Sequence, residues 1–282
     1  MSKNIPTLTI IGGGLAGCEA AWQAAQRGVK VELYEMRQFP LHNTTGAHHS
    51  DALAELVCSN SLGSNQVERA AGLLKEELRR MDSLLMHCAD RSALPSGSAL
   101  AVDRQQFSQS VTNAIQSHPK ICIIRQLVTQ VPSTATIIAS GPLTHPGLIA
   151  DLQRYTEAKN LFFFDAIAPI VSAESIQMDI AYRASRYDRR ENEGDYINCP
   201  FNTAEYQTFI TNLLSAKRIP LKTFEQEIEQ GVCAGVGPYF EGCLPIEVLA
   251  ARDPQALTYG PLRPIGLWNP HTRSRPDRKS VV

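Results

Sequence analysis

Residues 7–35 run TLTIIGGGLAGCEAAWQAAQRGVKVELYE, and the order of apolar, glycine and alanine blocks in this stretch decides the fold. Thr7–Ile11 is apolar and β-branched, the composition of a buried strand. It runs into Gly12-Gly13-Gly14-Leu15-Ala16-Gly17, a match to G-x-G-x-x-G. Glu19–Arg27 is alanine-rich and helical in composition, and it closes on Gly28, a residue suited to the position just past a helix end. Lys30–Tyr34 is a second buried strand, ended by the acid Glu35. A glycine match alone is a weak signal. Placed between two strands, opening a helix and followed by an acid, it predicts the first βαβ unit of an α/β dinucleotide-binding fold.

The chemistry of such a unit assigns roles to its residues. Gly12 permits the tight turn, Gly14 lets a pyrophosphate approach the backbone, and Gly17 lets the helix pack closely on the strand. The free N–H groups and partial positive charge of the helix start face the phosphates. Gly12, Gly13, Gly14, Leu15, Ala16 and Gly17 are therefore the candidate cofactor-binding loop, and Glu35 is the candidate acceptor for the adenosine ribose. An acid at that position disfavours a 2′-phosphate, which excludes NADP as the tightly held nucleotide.

Working outward, Asp51–Val57 predicts a short helix after the polar loop His42–Ser50, and Leu73–Met86 and Asp103–Ser117 carry helical periodicity. Ile121–Arg125 and Thr136–Ala139 predict strands. The second of these runs into Ser140-Gly141-Pro142, a strand-then-small-residue pattern with which flavoproteins return to the dinucleotide and which equally fits an ordinary buried turn. Composition shifts after Pro146; Leu161–Phe164, Ala181–Arg190 and Ala204–Leu214 then indicate a second, α+β region. Beyond a glycine-rich loop at Gly231–Gly242, Ile246–Arg252 predicts a helix and Tyr259–Trp268 a strand or turn.

With a net charge of −1 over 282 residues, no global basic excess advertises nucleic acid. No apolar run reaches a membrane span, and the N-terminus lacks a signal-peptide layout. The seven cysteines are irregularly spaced without a C-x-x-C pair, which points away from a disulfide framework or zinc site and toward a reducing, cytoplasmic setting. Cys18, Cys88 and Cys122 fit small core hydrophobes. Cys58, in Glu55-Leu56-Val57-Cys58-Ser59-Asn60, and Cys243, in Phe240-Glu241-Gly242-Cys243-Leu244-Pro245, sit in less ordinary settings. Pro245 suits a first helical position, so Cys243 is expected just before a helix start, where a thiolate is favoured. His48 and His49 have no accompanying metal-ligand set, and a loop lining a cofactor pocket is the expected role. Arg183, Arg186, Arg189 and Arg190 alternate with tyrosines, but neighbouring acids offset them, and a solvated helix end is expected.

GGGLAG, AHHSDALAELVCSNSL (residues 47–62), ALAVDRQQF (99–107), ASGPLT (139–144), SRYD with YINCP (185–188 and 196–200), YFEGCLPIEVLAAR (239–252) and YGPLRPIGL (259–267) together resemble the folate- and FAD-dependent tRNA (uracil-5-)-methyltransferases. The resemblance runs from Ile5 to Pro276 and is most specific in ELVCSNSL and FEGCLPIE. It implies an α/β, Rossmann-like FAD domain of the GR2 type with an inserted α+β domain. The expected organisation is residues 1–160 for the N-terminal part of the FAD domain and 161–276 for the insertion. It implies a reaction in which a one-carbon unit from methylenetetrahydrofolate passes by way of reduced FAD to C5 of the T-loop uridine of tRNA, with NAD(P)H as reductant. FEGC carries the uracil-activating cysteine onto Cys243, and ELVC carries the assisting cysteine onto Cys58. Members of the family continue past the GPLRPIGL region into further strands of the flavin domain. Asp277–Val282 (DRKSVV) reads instead as translated sequencing adapter, so 277–282 is expected to be a non-native tail on an incomplete chain. Two alternatives are a related flavoprotein that modifies the wobble uridine, against which ELVCSNSL and FEGCLPIE argue, and a non-catalytic nucleotide-binding fragment.

Overall fold

Four parallel strands form the centre of the N-terminal region, and the sequence explains their order. In the computed structural model the described residues are 7–38, 47–57, 59–156, 171–185, 194–217, 246–259, 262 and 267–273. Strand β1 (Thr7–Ile11) turns through the glycines into helix α1 (Leu15–Gln26), and β2 (Lys30–Glu35) returns parallel to β1, Thr7 opposite Lys30 and Ile11 opposite Tyr34. Gly28, at φ +90°, ends the helix as expected, its N–H donating to the Ala25 carbonyl at 2.9 Å. The face α1 turns inward is Gly17, Cys18, Ala21 and Ala25, all small, so helix and sheet approach closely. Along β2 the buried residues alternate as Val31, Leu33 and Glu35, which places an acid on the core face at the strand's C-terminal end.

The chain then leaves the sheet for an excursion that contains β3 (Ser61–Ser64), α2 (Ala70–Arg80), α3 (Leu84–Arg91), β4 (Ala93–Leu94), β5 (Ala99–Val102) and α4 (Arg104–Ser117). It re-enters as β6 (Ile121–Arg125), pairs parallel with β2, and later adds β7 (Thr136–Ile138) beside β1, followed by helix α5 (Pro146–Thr156). The sheet order is β6-β2-β1-β7, and β3, β5 and β4 form a separate antiparallel sheet. The α/β class with a parallel sheet, expected from residues 7–35, is what the structure has. Phe107, Val111 and Ile115 of α4 pack with Ile10, Val31 and Leu33 in one core. Full burial of a side chain such as Phe107 stabilises by about 2–3 kcal/mol.

Three local expectations are corrected. The single helix expected over Leu73–Met86 is two, broken at Met81–Ser83, with Asp82 at φ +54°. The cause is Glu19 of α1. Its carboxylate accepts from the Leu85 N–H at 3.0 Å and the Ser83 hydroxyl at 2.9 Å, and Ser83 in turn caps Met86, so a new helix starts there. The helix expected over Asp51–Val57 is a turn, described with the site below. Cys122, expected in the core, is exposed: β6 is an edge strand, and its pleat buries Ile121 while turning Cys122 outward.

The chain divides into two units, residues 1–168 and 169–282. In the second, β8 (Tyr182–Ala184) and β9 (Tyr196–Asn198) form an antiparallel ladder. Helix α6 (Thr203–Ser215) opens with a capping box between Asn202 and Glu205. Its Tyr206 and Ile210 pack with Leu249 and Ala250 of α7 (Ile246–Arg252) and with Leu257 of the short α8 (Ala256–Tyr259). The helix expected over Ile246–Arg252 is present with those bounds. Leu161–Phe164, Arg186, Arg189, Arg190, the loop Gly231–Gly242 and the tail Asp277–Val282 lie outside the described residues. No helix among the described residues is long and apolar enough to cross a membrane.

Candidate functional site

A cavity of about 300 Å³ lies at the C-terminal ends of all four parallel strands. Its walls are the glycine loop from Gly12 to Ala16, Tyr34–Arg37 at the end of β2, Gln126–Val128 after β6 and Ala139–His145 after β7, with His48, Glu55 and Val57 closing one side. This is where open parallel sheets bind their ligands.

The glycines of the loop divide into two kinds. Gly12 has φ +109°, and a side chain there would meet the Ala139 carbonyl oxygen at 2.5 Å. A Cβ on Gly17 would collide with the carbonyl oxygen of Gly12, and one on Gly13 would meet Leu53 Cδ2 at 2.6 Å and Glu35 Oε2 at 2.7 Å. These three glycines let protein approach protein. Gly14 differs, because a Cβ built on it meets nothing within 4 Å. It is the N-cap of α1 and makes no side-chain cap bond, so the first N–H groups of the helix face the cavity side without a capping side chain.

Glu35 sits on the cavity wall, 5% exposed. Its Oε2 accepts from the Gly13 N–H at 3.0 Å, and its Oε1 accepts from both the N–H and the Nε of Arg37 at 3.0 Å. Burial alone would raise the carboxyl's pKa; the hydrogen bonds and charge of Arg37, with the Gly13 N–H, outweigh it and hold the group below the usual carboxylate range. Arg37, 2% exposed, also donates through Nη1 to Glu55 Oε2 at 2.9 Å and to the Ser50 carbonyl at 3.2 Å. Glu55 Oε1 accepts from the His49 N–H at 2.9 Å, and its Oε2 from the Ser50 hydroxyl at 3.0 Å. The result is a buried carboxylate–guanidinium–carboxylate array.

These bonds explain why residues 51–57 are not a helix. The Ala54 N–H donates to the Gly13 carbonyl at 2.8 Å, and the Leu53 N–H to Thr112 Oγ1 at 2.9 Å, which takes both amides away from helical partners. Ala54 adopts φ +51° to do so. The Cys18 thiol also donates to the Gly13 carbonyl, at 3.3 Å. Burial, then the charge of Glu35, pushes that thiol up to about 12, so Cys18 is a neutral structural donor.

The structure thus gathers Gly12, Gly13, Gly14, Leu15, Ala16 and Glu35 around one cavity and places Gly17 behind Gly12. Cys58 and Cys243 lie outside the described residues. His48 borders the cavity. Arg37, Glu55 and the left-handed Ala54 are additions that periodicity alone does not point to; an arginine two residues past Glu35 was the available signal.

A glycine turn, an uncapped helix start and a cavity across the ends of a parallel sheet define an α/β protein with its candidate ligand site at the strand ends. Residues 7–275 match the family described as Glucose inhibited division protein A, and the chain belongs to that family. Among curated relatives, the methylenetetrahydrofolate–tRNA-(uracil-5-)-methyltransferase TrmFO of Natranaerobius thermophilus is 52% identical over 270 residues, covering 95% of this chain and 59% of the relative. That of Bacillus subtilis is 49% identical over 273 residues, covering 97% and 59%. The chain therefore spans about three-fifths of the length of these relatives. The resemblance drawn from ELVCSNSL and FEGCLPIE is to the same enzymes. A solved structure of Aquifex aeolicus GidA aligns with a TM-score of 0.36 at 16% identity, over 45% of this chain and 21% of its own, too distant to argue from.

Proposed function

We propose that this chain is part of a folate- and FAD-dependent tRNA (uracil-5-)-methyltransferase, acting in the cytoplasm on the T-loop uridine, with methylenetetrahydrofolate as one-carbon donor and NAD(P)H as reductant. Residues 1–160 then belong to the N-terminal part of a Rossmann-like FAD domain of the GR2 type, and residues 161–276 to the domain inserted in it. The observation that carries the reading is the cavity at the strand ends, open in front of Gly14, in a chain half identical to enzymes of that name.

The residues present fit the adenosine diphosphate half of FAD. The start of α1 offers N–H groups and partial positive charge to a pyrophosphate, and Gly14 leaves room for it. Glu35, kept ionised by Arg37 and the Gly13 N–H, is in the form that accepts from ribose hydroxyls. Bound flavin would supply reversible transfer of the one-carbon unit and its reducing electrons. Cys243 is assigned to attack: its thiolate adds to uracil C6, and the displaced electron pair makes C5 nucleophilic. Once C5 carries the new carbon, loss of the C5 proton and expulsion of the thiolate restore the ring. Cys58 is assigned to assist at the same base.

The test is labelled one-carbon transfer to T-loop uridine by the full-length protein. Cys243→Ser should hold FAD and tRNA, form no covalent adduct with 5-fluorouracil-substituted tRNA, and lose transfer by on the order of a thousandfold or more. Cys58→Ser should also fall. Wild-type transfer by Cys243→Ser, or none by the parent protein, would contradict the proposal.

A further inference from the structure

An arginine just past the second strand of a dinucleotide-binding unit is the kind of residue that accommodates a 2′-phosphate. Arg37 stands two residues beyond Glu35 and borders the cavity, yet its guanidinium is occupied. Nε and Nη2 bond the two oxygens of Glu35 at 3.0 and 3.3 Å, and Nη1 bonds Glu55 at 2.9 Å and the Ser50 carbonyl at 3.2 Å. Both carboxylates are themselves largely buried, with side-chain exposures of 6% and 12%. Within this trio one cation stands between two anions; Arg125, opposite Glu35 on β6, donates to the Arg37 carbonyl at 3.2 Å and to the Asp51 carbonyl at 2.7 Å. A phosphate monoester brought beside Glu35 and Glu55 meets like charge in a poorly solvated place, with the Arg37 guanidinium committed to both carboxylates and that of Arg125 to backbone carbonyls.

We infer that Glu55 is a specificity-determining residue: it captures Arg37 jointly with Glu35, and so the cavity takes adenosine nucleotides with a free 2′-hydroxyl and rejects 2′-phosphorylated ones. The inference rests on the reading of the cavity as the adenosine end of a dinucleotide site. It gives Glu55, part of the ELVC segment, a task separate from the chemistry of the neighbouring cysteine. A 2′-phosphorylated reductant is thereby kept from the place of the flavin. Glu35 alone would not achieve this, because Arg37, released on its Glu55 side, could turn an N–H edge to the phosphate.

The experiment uses the full-length protein with flavin removed, titrated calorimetrically with ADP and with 2′-phospho-ADP. The parent should bind ADP about a hundredfold more tightly. Glu55→Gln should lower that ratio about tenfold or more, through a gain for 2′-phospho-ADP rather than a loss for ADP. Glu55→Asp, which keeps the charge, should retain the parent preference. Adding Arg37→Met to Glu55→Gln should abolish the gain; a gain that persists would assign it to another group such as Arg125 or His48 and overturn the inference. Glu35→Gln releases the other edge of the same guanidinium and should shift the ratio in the same direction, which keeps the test open where Glu55→Gln does not fold. ADP binding with an unmoved ratio in folded variants overturns the role of Glu55 alone. Failure of the parent to bind either nucleotide overturns the cavity reading with it.

Discussion

The glycine loop and the segment 50–57 meet at one residue, Gly13, and they reach their shapes by opposite routes. The Gly13 N–H donates to Glu35, and its carbonyl accepts from Ala54 and Cys18. On the loop side the shape follows from missing side chains: Gly12 at φ +109° and Gly17 against the Gly12 carbonyl are local steric facts. On the other side Ala54 is driven to φ +51° by partners 41 and 59 residues away from its own stretch, Gly13 for Ala54 and Thr112 for Leu53. A glycine-built loop carries its conformation in its composition. A segment built on long-range hydrogen bonds carries it in its neighbours.

The sharpest way to break the comparison is at Gly17. Gly17→Ala places a methyl group against the Gly12 carbonyl, backbone on backbone, where neither side can give cheaply. A loss on the order of 3 kcal/mol in folding stability is expected from denaturant melts. A loss under 1 kcal/mol, on the scale of an ordinary surface change, would mean that helix and turn are not in this contact.

A smaller effect sharpens the other side. In a helix interior Ala→Gly costs about 1 kcal/mol. At Ala54 the left-handed backbone favours glycine, and relief of that conformation offsets both the lost buried methyl and the added chain entropy. Ala54→Gly should therefore leave the denaturation midpoint nearly unchanged. A helix-like loss of about 1 kcal/mol would restore the helix expected over Asp51–Val57.

The same contrast explains what could be seen in the chain beforehand. Strands 7–11 and 30–35, the helix between them and the acid at 35 were legible because apolar runs, glycines and a strand-end acid act over a few residues. The break at Met81–Ser83 was not, because the carboxylate that starts α3 belongs to Glu19, 64 residues from Ser83. The expectation for Cys122 fails because it rests on residue type alone, and residue type does not show which face of the edge strand β6 a side chain takes. In the site, the loop and Glu35 were legible, but the Arg37–Glu55 pair, 18 residues apart across a turn, has no periodic signature. Cys243 is singled out by helix-start chemistry and by resemblance, Cys58 mainly by resemblance, and both fall outside the described residues.

The central claim, that this cavity holds the adenosine diphosphate half of FAD, is tested most directly at Gly14. Gly12, Gly13 and Gly17 are glycine for the protein's sake, and Gly14 has open space where a side chain would go. Gly14→Val in the full-length protein should then separate folding from binding. With flavin removed from both, the variant should melt within a few degrees of the parent, because its backbone at φ −77° is extended and a Cβ built there meets nothing within 4 Å. FAD titrated into the two apoproteins should bind the parent and fail to saturate the variant, a loss of about a hundredfold or more as the branched side chain blocks the pyrophosphate. A folded Gly14→Val that binds FAD with the parent's affinity would contradict the assignment.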